Sequence, residues 1–394
     1  MDKKTVREAR KAEEQRKPVG KRGRRSQLLA MSGCLVVLVA VMYGGLALFM
    51  KFNRQPEETV NGNVSGLTLD ENGNVVQAGS DAVLGGDDAV DVASGAVLYS
   101  QEELDAKVAE AVLVAQANAS QDVLNTIKTG LSDGDTVLET LRPFYPDDII
   151  VASGGKYHFV PINYELAQSR LQTENLNFLE SGEVQYLEDG EVISHKGIDV
   201  SKHQGEIDWS RVAADGVEFA FIRVGNRGYG TGQLVEDDYF TANIEGALAA
   251  GIKVGVYIYS QAINEQEALE EANFVLEKIA PYKVECPVVF DVEKVSGNGG
   301  RMNNISVEER TKVTLLFCQT IENAGYHPMI YHNTEMGALM LDLAALEDYD
   351  KWFAAYSDTL YYPYEYKVWQ YSQSGTVQGV SGQVDLNISL APLW

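Results

Sequence analysis

From Gly197 onward the chain alternates short apolar runs with longer stretches in which apolar residues recur every three or four positions. Eight runs read as strands: GIDVS (197–201), EFAFIRV (218–224), KVGVYIY (253–259), CPVVFDV (286–292), HPMIYH (327–332), WFAAYS (352–357), YKVWQY (366–371) and QVDLN (383–387). Between several of them lie helix-length amphipathic segments at 236–251, 265–280 and 306–325. Most of the runs are apolar on both faces, as strands of a covered sheet must be. Eight strands with helical crossovers in about 200 residues predict an irregular (β/α) barrel of TIM type over 196–394. A doubly wound open sheet is the alternative, but it wants a glycine-rich phosphate loop after its first strand, and SKHQGEIDW (201–209) is not one.

Upstream the pattern changes three times. Residues 133–195 hold short strand-like pieces (DIIVAS, KYHFVPI, GEVQYLEDGEVISH) around a predicted helix at 163–172. The last piece reads as a hairpin turning at Glu188-Asp189-Gly190. This is a small α+β stalk module. Residues 99–132 predict one helix, opened by a Ser100/Glu103 capping box and carrying Leu104, Val108, Ala111 and Ala115 at helical spacing. The apolar stripe of this helix, residues 100–131, is a candidate surface for self-association or for a protein partner. Residues 51–98 are rich in Gly, Asn, Asp and Ser and read as a flexible linker.

The remaining N-terminal stretch alters the picture of the whole chain. Leu28 to Met50 contains 23 residues and no charge. As a helix it would span roughly 35 Å, enough to cross a hydrocarbon layer of about 30 Å. Residues 1–25 hold eleven Lys/Arg against four acids, a balance of +7. Basic residues beside a span remain cytoplasmic, and that topology accounts for them better than nucleic-acid binding does. The reading is a basic cytoplasmic segment (1–27), a single transmembrane helix (28–50) retained as an anchor, and everything after it outside the cell membrane. Of the formal total of −25, the chain beyond the basic arm therefore carries −32. That balance favours solubility over attraction to an anionic surface.

The candidate chemistry is carboxylate chemistry. Asp199 falls on the first strand, Asp291 and Glu293 on and after the fourth, Asp385 on the eighth. The functional face of a β/α barrel is the C-terminal end of its strands, and closure sets the eighth strand beside the first. Four acids separated by up to 186 positions can thus converge on one mouth. Residues i and i+2 of a strand point the same way, so Asp291 and Glu293 crowd each other, and at least one acid of the group should hold its proton. Glycoside hydrolysis needs that asymmetry: an acid to protonate the leaving oxygen and a carboxylate to steer or stabilise the developing positive charge. Aromatic residues on or just after the strands, Tyr229, Tyr259, Tyr331, Trp352, Tyr356, Trp369 and Tyr371, are candidates to stack on sugar rings. The five histidines show no metal-ligand spacing, so neither a metal nor a cofactor is expected. Cys286 and Cys318 read as buried thiols.

GIDVSKHQGEIDW (197–209), PVVFDVE (287–293), WQY (369–371) and VDLN (384–387) resemble the motifs of glycoside hydrolase family 25, the lysozymes or N-acetylmuramidases that cut peptidoglycan. The resemblance covers 197–394. It implies a β/α barrel with its cleft at the strand C-termini, and cleavage of the β-1,4 bond from N-acetylmuramic acid to N-acetylglucosamine. It also implies Glu293 as general acid, Asp291 as partner carboxylate, and Asp199 and Asp385 as the other cleft acids. Asp291 either attacks the sugar or orients the substrate's N-acetyl group as internal nucleophile; both routes retain configuration. The third strand departs from the pattern, reading Tyr257-Ile258-Tyr259 where members often carry Tyr-His-Tyr. The expectation is a membrane-anchored wall hydrolase acting on glycan strands. The alternatives are a wall-binding scaffold that has lost catalysis and a hydrolase of another amino-sugar polymer such as chitin.

Overall fold

The computed structural model describes residues 67–69, 75–77, 100–297, 299–357 and 360–394. The expected cytoplasmic segment, the transmembrane helix at 28–50 and most of the linker at 51–98 lie outside the described residues. Among the described residues no helix is long and apolar enough to cross a membrane. Within the linker stretch, β1 (Leu67–Leu69) and β2 (Val75–Gln77) pair antiparallel. They belong to a separate unit from residues 100–394.

The larger unit begins with α1 (Gln101–Asp133), where the Ser100 side chain accepts from the Glu103 amide and the Glu103 carboxylate accepts from the Ser100 amide. The pair satisfies two N–H groups that the first turn would otherwise leave orphaned. Gly134, at φ 104°, ends the helix. No residue of α1 is buried, and Val108, Leu113, Leu124 and Leu131 stay exposed. After α2 (Val137–Leu141) come the antiparallel pair β3 (Asp148–Ser153) and β4 (Lys156–Pro161). β5 (Leu176–Phe178), β6 (Val184–Glu188) and β7 (Glu191–Val192) follow as a meander. The β6–β7 turn has positive φ at both Asp189 and Gly190, the conformation that matches the strand twist of a tight hairpin.

The helix predicted at 163–172 does not form. Its backbone turns outward instead: the Ser169 N–H donates to the Pro363 carbonyl at 2.7 Å and the Ala167 carbonyl accepts from Glu365 at 2.9 Å. Gln168 forms a bridge with Tyr364. Hydrogen-bond partners on the barrel, together with burial of Leu166, outcompete a weak helical propensity.

The barrel is built from β8 (His195–Val200), β9 (Phe219–Arg227), β11 (Lys253–Tyr259), β12 (Val288–Asp291), β13 (Pro328–Asn333), β14 (Asp350–Ala354), β15 (Val368–Gly375) and β16 (Val384–Ser389), with β10 (Leu234–Glu236) appended to β9. Neighbours from β8 to β15 are parallel. β16 closes the barrel antiparallel to both β15 and β8. The eight predicted strands are these eight, and the sheet is closed, not doubly wound.

Side chains alternate along each strand between two cores. Phe219, Phe221, Tyr257, Val289, Met329, Tyr331 and Trp352 fill the interior. Ala220, Ile222, Val288 and Phe290 face the outer layer. Gly197 lets the Phe219 ring lie across β8, since a Cβ there would sit 2.2 Å from the ring. Helices α3 (Trp209–Ala214), α4 (Phe240–Ala249), α5 (Glu265–Ile279) and α6 (Val307–Asn323) cover the first half of the barrel. Among the described residues, the connections from β14 to β15 and from β15 to β16 carry no helix. There residues 142–195, the part of the stalk module that follows α2 (the 142–195 module), supply the cover: Ile149, Val151, Leu166, Val184 and Tyr186 share one core with Tyr362, Tyr364, Tyr366, Trp369 and Tyr371. The Arg142 guanidinium lies 3.0 Å from the Tyr361 ring centroid. Cys286 and Cys318 are buried and unpaired, and burial pushes the Cys286 thiol up to about 12.

Candidate active site

The C-terminal ends of the parallel strands open onto a cleft of about 370 Å³. Asp199 (β8), Arg223 (β9), Tyr257 and Tyr259 (β11), Asp291 and Glu293 (β12 and just beyond), Tyr331 (β13) and Gln370 (β15) all reach it. Asp385 reaches it by a different route from the one expected. It lies at the start of β16, not near the C-terminal end, and the antiparallel run of that strand returns it to the same rim. Its register partner is Asp199.

An amide-rich frame holds the first pair of acids. Gln370 donates from Nε2 to Asp199 Oδ2 at 2.7 Å and, at 3.4 Å, to Asp385 Oδ2. Asn387 donates from Nδ2 to the same Asp199 oxygen at 2.8 Å. The other end of each amide is also fixed. Gln370 Oε1 accepts from the Tyr331 and Tyr356 hydroxyls at 2.8 and 2.7 Å, and Asn387 Oδ1 accepts from Trp352 Nε1 at 2.8 Å. The indole N–H can only donate, which fixes Asn387, and the two hydroxyls donate to Gln370 Oε1, so both amides keep their N–H groups for the carboxyls. Across the cleft Arg223 donates from Nε to the buried Asp237 at 2.7 Å.

The acids are held toward their protonated forms. Burial pushes Asp199 well up, and the neighbouring Asp385 charge adds to this against the two amide donors. Asp291 is raised well above the usual range by burial, then by the charges of Glu293 and Asp199, with Arg223 opposing. Burial also raises Glu293, with the Tyr331 hydroxyl beside it pulling the other way and the Asp385 charge adding to the rise. Asp385 is raised by burial while its hydrogen bond with Asp199 pulls the other way. Desolvation and like charge act in the same sense here, as they do where proton transfer is the task. Asp291 lines the cleft, while its Oδ1 is buried and has no protein partner.

Among the aromatic residues singled out by sequence, Tyr259, Tyr331, Trp352 and Tyr356 line the cleft. Trp352 is its floor, stacked on Phe221 at 4.6 Å and edge-on to Tyr331 at 4.6 Å. Trp369 and Tyr371 do not reach it. Gln370 between them points inward, so strand alternation sends both rings to the outer layer, where Trp369 Nε1 donates to the Ala355 carbonyl at 2.8 Å. Tyr229 is exposed and stands beside Gly299, outside the cleft lining. Sequence reasoning missed Arg223, Gln370 and Asn387. Two of the three carried a signal: Arg223 is a charge inside the apolar run EFAFIRV, and the period of two turns Asn387 inward with Asp385.

A closed β/α barrel with a carboxylate-lined mouth is the class that fold and site define. Residues 198–380 match the family model described as glycosyl hydrolases family 25. YegX of Escherichia coli K12, an uncharacterized protein, is 30% identical over 208 residues, which are 49% of this chain and 68% of YegX. The autolytic lysozyme of Clostridium acetobutylicum is 28% identical over 193 residues, 49% of this chain and 55% of that enzyme. The chain belongs to glycosyl hydrolase family 25. It spans little more than half the length of the clostridial relative. Among solved structures, the modular autolysin LytC of Streptococcus pneumoniae in complex with a synthetic peptidoglycan ligand aligns over 61% of this chain and 57% of its own, at 23% identity and a TM-score of 0.44.

Proposed function

We propose that this chain is a peptidoglycan lysozyme that cuts the β-1,4 bond between N-acetylmuramic acid and N-acetylglucosamine, tethered to the cell membrane through residues 28–50. The observation that carries the reading is the gathering of Glu293 and Asp291 at one rim with Asp199 and Asp385, in surroundings that keep Glu293 protonated beyond the range of a free glutamate. The clostridial relative's name, an autolytic lysozyme, supports the substrate class.

In this reading Glu293 gives its proton to the glycosidic oxygen as the bond to the anomeric carbon breaks. The positive charge that develops on the sugar is met from the other side in one of two ways. Asp291, which lines the cleft, attacks directly, or it accepts the acetamido N–H and so aims the acetamido oxygen at the anomeric carbon. Glu293, now ionised, then deprotonates the incoming water, and the anomeric configuration is retained. Tyr259 and Tyr356 at the rim supply flat, hydroxyl-tipped faces for the rings.

The test is release of reducing ends from purified peptidoglycan, with chitin digested in parallel. The chain should act on peptidoglycan, and Glu293→Gln should lower the rate by at least about a hundredfold, the usual worth of a general acid. A Glu293→Gln enzyme as fast as its parent removes the assignment; binding without cleavage marks a scaffold, and faster release from chitin marks a different polymer. For the tether, deletion of residues 1–50 should move the protein from the membrane fraction to the soluble one.

A further inference from the structure

β12 ends at Asp291, so Glu293 stands on irregular chain and needs other restraints. Two of them flank it. The Val292 N–H continues the ladder by donating to the Tyr331 carbonyl at 3.2 Å. Val295 is clasped on both sides by Asn303, whose Oδ1 accepts from its N–H at 3.0 Å and whose Nδ2 donates to its carbonyl at 2.7 Å. Between these anchors, alternation turns Glu293 into the cleft and Lys294 away from it. The Lys294 ammonium ion-pairs with Glu335, just past β13, and donates to Ser153 Oγ at 3.2 Å. The Ser153 hydroxyl in turn donates to Glu335. Ser153 is the last residue of β3, 141 residues away in sequence from Lys294. Burial pushes the Glu335 carboxyl up, but the hydrogen bonds from Lys294 and Ser153 outweigh it and leave the group below its ordinary value. The carboxylate therefore stays ionised, and the clamp closed, in the mildly acidic range where a protonated Glu293 would work.

We propose that Lys294 is a positioning residue for Glu293: clamped between Glu335 and Ser153, it fixes the height of the acid over the cleft, and the 142–195 module thereby completes the catalytic rim. The inference rests on Glu293 being the general acid. It places a functional contact in a part of the chain that the family model, which begins at residue 198, does not cover.

The experiment is steady-state kinetics of the full chain on soluble peptidoglycan fragments. Lys294→Met should lower kcat roughly ten- to a hundredfold, the scale of a small misplacement of a reacting group, with KM within about twofold of the parent. Lys294→Arg, which keeps the charge and the reach, should restore most of the loss. Ser153→Ala, at the half-buried end of β3, should lower kcat less and leave the melting temperature in place. An unchanged kcat in Lys294→Met, or a change confined to KM, overturns the proposal. Should Lys294→Met not fold, Ser153→Ala and Glu335→Gln decide it: parental kcat in both overturns it equally. The two readings fail separately, since an active Glu293→Gln sinks the assignment of the acid, whereas an inactive Glu293→Gln beside a fully active Lys294→Met sinks only the clamp.

Discussion

Asp199 and Asp385 face each other across the β8–β16 pair, and both are raised above the ordinary aspartate range by burial. The sign of the consequence follows from linkage. An unfolded aspartate releases its proton near pH 3.9, while the folded pair holds protons to higher pH. Across that window the native state binds more protons, so stability is full below the unfolded pKa and falls as pH rises through the folded one. Asp385→Asn removes the charge and keeps the size. It should raise the melting temperature relative to the parent at neutral pH, and the advantage should vanish below about pH 4. Lysis should be slower throughout. Thermal melts across pH check this; an equal offset at every pH would mean that packing, not charge, separates the two proteins. The same argument bears on catalysis. Because Glu293 is raised, the alkaline limb of the pH–rate profile should fall above the pKa of a free glutamate and should be absent from Glu293→Gln. The acids themselves were legible from strand position. Gln370 and Asn387 were harder to see, since an amide in an apolar run declares its role only when its partners are known.

Among the elements, β8 and β9 show how sequence period becomes packing. Gly197 sits opposite Phe219, and that ring is fully buried in the barrel interior. Gly197→Ala would put a methyl 2.2 Å from it. The ring has no free space to enter, so the variant should lose on the order of 1–3 kcal/mol, the range for overpacking a filled core. For a chain of this size that corresponds to no more than about 2–4 °C in melting temperature per kcal/mol. A parental melting temperature would show that the interior is looser than its geometry. All eight barrel strands were readable because runs apolar on both faces have few alternatives. Residues 163–172 were misread as a helix for the complementary reason. Spacing sees apolar residues but not the carbonyl of Pro363 or the amide of Glu365, and these two groups decide the backbone's conformation there. The direction of β16 was equally invisible, because a strand pattern reads the same in both directions.

On the scale of the whole molecule, the barrel is covered by helices on one half and by the 142–195 module on the other. A fragment of residues 197–394 would uncover Tyr362, Tyr364, Tyr366, Trp369 and Tyr371, all buried in the intact chain. Apolar patches of that extent drive association. The fragment should therefore aggregate or melt well below a protein comprising residues 100–394, as size-exclusion chromatography and thermal melts would show. A soluble barrel fragment with the melting temperature of the longer protein would mean the module is only a passenger.

The sequence by itself determined the closed sheet of eight strands, the four acids and the family, because hydrophobic period and carboxylate position are local properties that the chain carries wherever it folds. Tertiary structure alone decided that β16 runs backward to bring Asp385 against Asp199, that Trp369 and Tyr371 serve the outer layer while Gln370 turns to the acids, and that Ser153 meets Lys294. Each of these depends on which surfaces are adjacent after closure, and adjacency between residues more than a hundred positions apart is not written in any one stretch of chain.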